Sequence, residues 1–301
     1  MKKIDLHLHL TPFQLPKLGK MNLTSGKNML PHLEELGIEK GVLMSSAEGG
    51  LPFGTNKSNR KICEKFPDRY AWMCAVDPKG KEPVYDRLAR FKRQGAIGIG
   101  ELTTNRRLDD PFLQELFAAA EKLRMPVTIH MSPEEGYSYG VVDDPGLPLL
   151  EEVLKKYPGL KILGHSQTFW IEMSADAPKE KEVRNQWGDG PVIPGGRVPE
   201  LFAKYPNLYG DLSANSGGKT GIQRLAQILL IGDQALQHAH AGNQVAQGLD
   251  LHAGGSVNGG EKVCGVREAD CFVCAVLGDG IVDSAFGQAG NGIGAAINQV
   301  S

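Results

Sequence analysis

Long apolar runs are missing from this chain. No stretch approaches the roughly 20 residues that a bilayer-spanning helix needs, so no helical membrane anchor is expected in the 301 residues. Blocks of one charge are missing too. The 33 Lys and Arg stand against 35 Asp and Glu, a net charge of −2, which leaves nothing to grip nucleic acid or an anionic membrane surface. Five cysteines fall without the spacing of a disulfide framework, as expected in a reducing compartment. The opening Met1-Lys2-Lys3-Ile4 runs into a strand pattern rather than an apolar signal core. A cytoplasmic protein acting on a small molecule is therefore expected. No glycine-rich phosphate loop follows the first strand, which removes the main support for a doubly wound nucleotide-binding sheet.

What is present is a regular alternation. Strands are predicted over 4–10, 41–46, 70–76, 96–102, 126–130, 160–165 and 207–213, and helices over 28–36, 57–66, 82–94, 147–156 and 199–205. A further helix starts at Asp110, a good N-cap, with Pro111 in the first helical position and Phe112, Leu113, Leu116, Phe117, Ala120 and Leu123 at helical spacing. Short apolar strands separated by helices pair in parallel, because each crossover returns the chain to the same edge. Seven such units predict an α/β fold, a (β/α)8 TIM-type barrel incomplete at its eighth strand. The long connection 166–197 carries Trp170 and Trp187 on the side where barrels build their sites, and is read as a substrate-covering loop.

The most informative segment is Ile4-Asp5-Leu6-His7-Leu8-His9-Leu10. In a strand, residues i and i+2 share a face, so His7 and His9 point the same way, with Asp5 beside them. Two adjacent imidazoles make poor core and a good half-site for a divalent metal such as zinc. Glu101 ends the fourth strand, His130 the fifth and His165 the sixth. Strand C-termini of a barrel open at one mouth, so these five side chains should converge. His32, on a helix, reads as structural. Arg106, Arg107 and Arg197 could meet a substrate carboxylate, with surface solvation the favoured role.

The segments DLHLH (5–9), IGEL (99–102), TIHMSP (128–133), LGHSQ (163–167) and YGDLSA (209–214) resemble, in strand order and ligand order, the amidohydrolase superfamily and especially its amidohydrolase-related branch of metal-dependent hydrolases and decarboxylases. The resemblance implies that His7, His9 and His130 are metal ligands. It implies that Glu101 is a ligand, bridging or not, or a carboxylate behind the ligands, and that His165 is a second-metal ligand or a base beside the substrate. One metal or two stays open. The implied activity is hydrolysis of a small carbonyl compound by a metal-activated water, with zinc as the expected ion. The alternatives are decarboxylation of an unsaturated or aromatic acid by the same site, and an inactive metal-binding product.

The family's proton-shuttling Asp at the end of strand eight has no clear counterpart. Residues 217–301 hold 17 of the 38 glycines, none of the 18 prolines and four of the 33 Lys and Arg. At ordinary usage, 85 residues without proline are about a one-in-a-hundred event. The chain is therefore divided into a barrel over 1–216 and an atypical Gly-rich segment over 217–301. A shifted reading frame or spliced segment from about Gly217 is the favoured account. The competing account places the missing acid at Asp233, ending Ile228-Leu229-Leu230-Ile231-Gly232. Cys271-x-x-Cys274 is a single pair and too little for a closed zinc site. A barrel short of one strand leaves open edges that favour self-association into homo-oligomers.

Overall fold

The structure is a computed structural model that describes residues 3–16, 23–188, 192–211 and 213, with the backbone of four short strands beyond residue 250. Seven parallel strands form its frame: β1 (Lys3–Leu8), β2 (Ile38–Leu43), β3 (Tyr70–Cys74), β4 (Ala96–Leu102), β5 (Val127–Ser132), β7 (Ile162–His165) and β8 (Leu208–Gly210). They neighbour one another in that order, each pair parallel. A two-residue strand, β6 (Val141–Val142), adds to the end of β5. Between the strands run α1 (Gly26–Glu35), α2 (Asn56–Lys65), α3 (Val84–Arg93), α4 (Pro111–Leu123), α5 (Pro148–Lys156) and α8 (Arg197–Lys204). The sheet curls into part of a barrel with helices outside, the incomplete (β/α)8 pattern expected from the alternation.

Local chemistry sets these elements. Ser25 starts α1 by accepting the Asn28 N–H, and Thr55 with Ser58 forms a capping box on α2. Asp110 caps α4, its carboxylate accepting the Phe112 N–H at 2.9 Å with Pro111 next in line, as the sequence predicts. Asn207 donates to the carbonyls of Leu154, Tyr157 and Leu160, closing the C-terminal end of α5 and fixing the approach to β8. Both faces of the strands are covered. Ile4, Leu6, Leu8 and Leu10 are buried on one side of β1, and Asp5 and His7 on the other.

Differences from the sequence reading are local. The second strand was expected over 41–46 and starts three residues earlier, because Ile38 pairs with Lys3 although Glu39 and Lys40 interrupt the apolar run. His9 stands just past the end of β1. The connection after β7 is not one open loop. It folds into α6 (Gln167–Trp170), a 3-10 turn (Ile171–Met173) and α7 (Lys181–Arg184), and buries Phe169, Trp170 and Met173 in the core. Gly164 makes room for this, since a Cβ there would meet the Phe169 ring at 2.4 Å.

Strands β9 (Leu251–His252) and β10 (Ser256–Val257) pair with each other. Strand β12 (Gly294–Asn298) lies parallel to β1 through Gly294 and Lys3, and β11 (Phe272–Val276) runs antiparallel outside it. The place beside β1 where an eighth parallel strand belongs is thus taken by a tail segment, and the antiparallel partner departs from the barrel pattern. Asp233 lies outside the described residues.

Candidate metal centre

The C-terminal ends of β1, β4, β5, β7 and β8 deliver a cluster of imidazoles and carboxylates to one place. His130 and His165 are register partners on adjacent strands. Their rings lie 5.2 Å apart, and His165 lies 4.6 Å from His7. His7 Nε2 and His9 Nε2 are 3.0 Å apart. Glu101 reaches into the middle. Its Oε1 accepts a hydrogen bond from His130 Nδ1 at 2.7 Å and lies 3.4 Å from His165 Nε2 and 3.9 Å from His7 Nε2, while its Oε2 is 3.7 Å from His9 Nε2. All five residues singled out from the sequence are therefore brought together. His7, Glu101, His130 and His165 are buried, and His9 opens to the mouth with 41% of its side chain exposed.

A sixth member escaped the sequence reading. Asp211, fully buried just after β8, accepts a hydrogen bond from His7 Nδ1 at 2.6 Å and lies 3.8 Å from His165 Nδ1. Its backbone N–H donates to the Gly164 carbonyl, and its carbonyl accepts from the Trp170 indole. Two residues on, Ser213 Oγ shares a hydrogen bond of 2.7 Å with His165 Nδ1. The available signal was position. In YGDLS an ionisable residue stands beside a strand end, as Glu101 and His165 do at the ends of β4 and β7.

The charges are coupled. Burial disfavours the charged form of His7, but Asp211, by charge and hydrogen bond, and Glu101 overcome it and raise the imidazole to about 9. Burial, then the charge on His7, pushes His165 down to about 4; the protein around it and the charge on His7 lower His9 as well, although its ring opens to the mouth. Burial alone would raise Glu101, yet the His130 hydrogen bond and the charges of His7, His165 and His9 hold it well below the carboxylate range. Asp211 is likewise lowered, to about 2, by His7 and His165 against its own burial. The charges that most stabilise both carboxylates are thus imidazoles.

That donor set fits a divalent cation. Ligand atoms held about 2.0–2.2 Å from one ion lie roughly 3–3.5 Å apart, and His7 and His9 already present their nitrogens at that spacing. Three overlapping triads have ligand atoms within 4.8 Å of one another: His7, His9 and Glu101; His7, His165 and Asp211; Glu101, His130 and His165. A carboxylate behind one ring nitrogen, as Asp211 behind His7, is the usual way to fix which nitrogen faces a metal.

The arginines considered for a substrate carboxylate are engaged elsewhere. Arg106 pairs with Asp110, Arg107 with Asp144 and Arg197 with Glu151. No helix among the described residues is long and apolar enough to cross a membrane.

No curated protein matches the chain. Among solved structures, 2,6-dihydroxybenzoate decarboxylase from Rhizobium is similar at 17% identity, with 82% of this chain and 94% of that one covered and a TM-score of 0.51. A probable 2-pyrone-4,6-dicarboxylic acid hydrolase from Acinetobacter baumannii aligns at 15% identity over 81% and 80% of the two chains, with a TM-score of 0.45. A putative hydrolase of the same description from Pseudomonas putida aligns at 15% identity over 80% and 78%, with a TM-score of 0.47. The amidohydrolase family model matches residues 4–241, running past Gly217 and taking in Asp233. With that match over most of its length, the chain belongs to the amidohydrolase superfamily, in its amidohydrolase-related branch, which contains both hydrolases and decarboxylases.

Proposed function

We propose that this protein is a metal-dependent hydrolase of a small carbonyl compound, with His7, His9, Glu101 and His130 holding a divalent ion, zinc by preference, and His165 as the catalytic base. The observation that carries the reading is the buried cluster itself. Two carboxylates and a set of imidazoles share overlapping ligand triads, and their largest stabilising charges are histidines. A divalent ion there supplies Lewis acidity toward a carbonyl oxygen and lowers the pKa of water from about 15.7 to about 7.

The chain's own residues do the rest. Asp211 takes the His7 Nδ1 proton in its hydrogen bond and leaves Nε2 directed at His9 and Glu101. Ser213 holds Nδ1 of His165, so that Nε2 faces the site near Glu101. Burial keeps His165 neutral near pH 7, so its Nε2 lone pair can accept a proton from the attacking water and return it to the leaving group. His7, Glu101, His130, His165 and Asp211 are buried, and His9 is the member of the cluster that opens to solvent.

The test is to load the protein with zinc, measure metal content, and run turnover of candidate substrates in 18O-labelled water. About one or more equivalents of zinc and 18O in the product are expected. Carbon dioxide release without 18O incorporation would replace hydrolysis by decarboxylation, and absence of bound metal would end both readings.

A further inference from the structure

His9 and His130 belong to the same cluster, yet 41% of the His9 side chain is exposed and only 8% of the His130 side chain. Part of that cover comes from outside the cluster. Tyr139, on the connection after β5, lays its ring against the imidazole of His130, with centroids 4.2 Å apart and planes inclined by 29°. Glu101 holds the same imidazole through Nδ1 at 2.7 Å. A ring N–H lies in the plane of its ring, and a stacked ring lies on the face. The two contacts therefore restrain different freedoms. The hydrogen bond limits where Nδ1 points, and the stack limits rotation of the plane about that bond.

The loop is tied down on both sides of the tyrosine. Gly140 has φ of +116°, and a Cβ there would meet the His130 carbonyl oxygen at 2.7 Å and the His130 ring at 2.9 Å. Only glycine lets the chain press this closely on β5. Asn105, on the connection after β4, donates its amide to the Gly140 carbonyl at 3.1 Å and accepts the Gly136 N–H at 2.5 Å. The Gly140 N–H donates to the Thr103 carbonyl. Directly afterwards Val141 and Val142 pair with Met131 and Ser132 as β6. With 59% of Tyr139 exposed, these ties rather than core burial keep its ring on the imidazole.

We infer that Tyr139 is a positioning residue of the metal centre, an outer clasp that fixes the plane of the His130 imidazole and slows loss of the ion. The inference rests on the proposed metal site and adds to it a residue that touches neither ion nor substrate. An imidazole bound to a dication loses electron density to it. The face of a phenol ring is negative, so it attracts the electron-poor imidazole more strongly than the free one. The stack is therefore worth more with the ion bound, and that difference counts toward the ion's residence. A phenyl ring offers the same face, and an aliphatic side chain offers none.

The test is the rate at which the zinc-loaded full chain gives up its ion to excess chelator. Tyr139→Ala should release zinc about threefold to tenfold faster than the parent, the size of an aromatic pair contact. Tyr139→Leu, which covers the imidazole without an aromatic face, should also release it faster, and Tyr139→Phe should match the parent. In metal-free protein, hydroxyl-radical labelling read by mass spectrometry should rise at His130 in Tyr139→Ala and stay unchanged at His7 and His165. Thermal unfolding checks that the variants are folded, and little change is expected for so exposed a side chain. Parental release from Tyr139→Ala, or a Tyr139→Phe variant as fast as Tyr139→Ala, would overturn the clasp. Increased labelling of His130 without faster release would reduce Tyr139 to a cover and overturn it as well. Zinc content of the parent tests the metal centre separately. Loaded parent with no effect of Tyr139→Ala removes the clasp and leaves the hydrolase reading standing; parent that takes up no zinc ends that reading and the clasp with it.

Discussion

Two of the buried ionic clusters among the described residues differ in how their charge is balanced. One is the histidine centre. The other joins Arg184 of α7 to Glu172 at 3.3 Å and to the Asp143 carbonyl at 3.4 Å, with Glu172 also accepting the Gly146 N–H. Asp143 is met by the backbone N–H groups of Asp144, Leu149 and Leu150; burial still pushes its carboxyl up to about 6. In this second cluster a guanidinium answers a carboxylate and the start of α5 answers another. The cluster pins the connection after β7 to the barrel, although the buried Arg184 Nε has no hydrogen-bond partner among the described residues. In the histidine centre the charges of Glu101 and Asp211 are met mainly by imidazoles, with the Ser213 N–H also donating to Asp211, and an imidazole acts as a cation only by binding a proton. A buried carboxylate facing a guanidinium has a permanent countercharge, whereas a set that must borrow a proton is open to a metal.

The sharpest way to break that contrast is to remove ligands. His7→Ala combined with His9→Ala should abolish zinc binding, read as metal per folded protein; retained zinc would refute the assignment. In the other cluster, Arg184→Ala should leave Glu172 buried and unpaired and cost about 3–5 kcal/mol in denaturant unfolding, with zinc per folded protein unchanged. Asp211→Asn should weaken zinc binding by about 10–100-fold while the protein stays folded, which separates the residue that orients His7 from the ligands themselves.

The pH response sharpens the comparison further. His7 is raised from 6.5 to about 9 in the metal-free protein. Its contribution is fully present below pH 6.5 and is lost as pH rises toward 9. His165 and His9 are lowered from 6.5 to about 4, so they add stability as pH rises from about 4 to 6.5. Melting of metal-free protein should therefore peak near pH 6.5 and decline to 9. Loading with zinc should remove the decline, because a cation then stands where the His7 proton was needed. A metal-free profile flat from 6.5 to 9 would contradict the coupling of His7 to Asp211.

The smallest expected effect concerns Ser166, next to His165. Its backbone has φ 88° and ψ 169°, a region that only glycine visits freely. Its hydroxyl both accepts the Met131 N–H and donates to the Met131 carbonyl. Ser166→Ala keeps the strain and loses both bonds, costing about 1–3 kcal/mol. Ser166→Gly loses the bonds and relieves the strain, so it should fall within about 1 kcal/mol of the parent. Equal losses in the two variants would show that the backbone is not strained.

Much of this architecture was legible because each strand is a short apolar run with its chemistry at the C-terminal end. Ala96–Leu102 was read without error, since Glu101 sits at its end and Gly95 bounds its start. His7, His9, Glu101, His130 and His165 stood out because imidazoles and acids are conspicuous in apolar strands. Asp211 did not, since aspartate in a turn after a strand is common and its partner His7 lies 204 residues away. Strand β6 is too short to show a period. The strands beyond residue 250 were invisible because glycine-rich segments carry no side-chain alternation. The folding of 166–197 into short helices was missed because its order comes from Phe169 and Trp170 packing into the core rather than from local propensity.

Asp211 and Ser213 leave the same strand end, and between them they steady His7 from the first strand and His165 from the seventh. They follow β8, the strand at one end of the sheet. The edge of the barrel and the proposed metal ligands would then share one hinge pin. If the proposed metal binds there, its affinity should serve as a gauge of how well the ring of strands is shut.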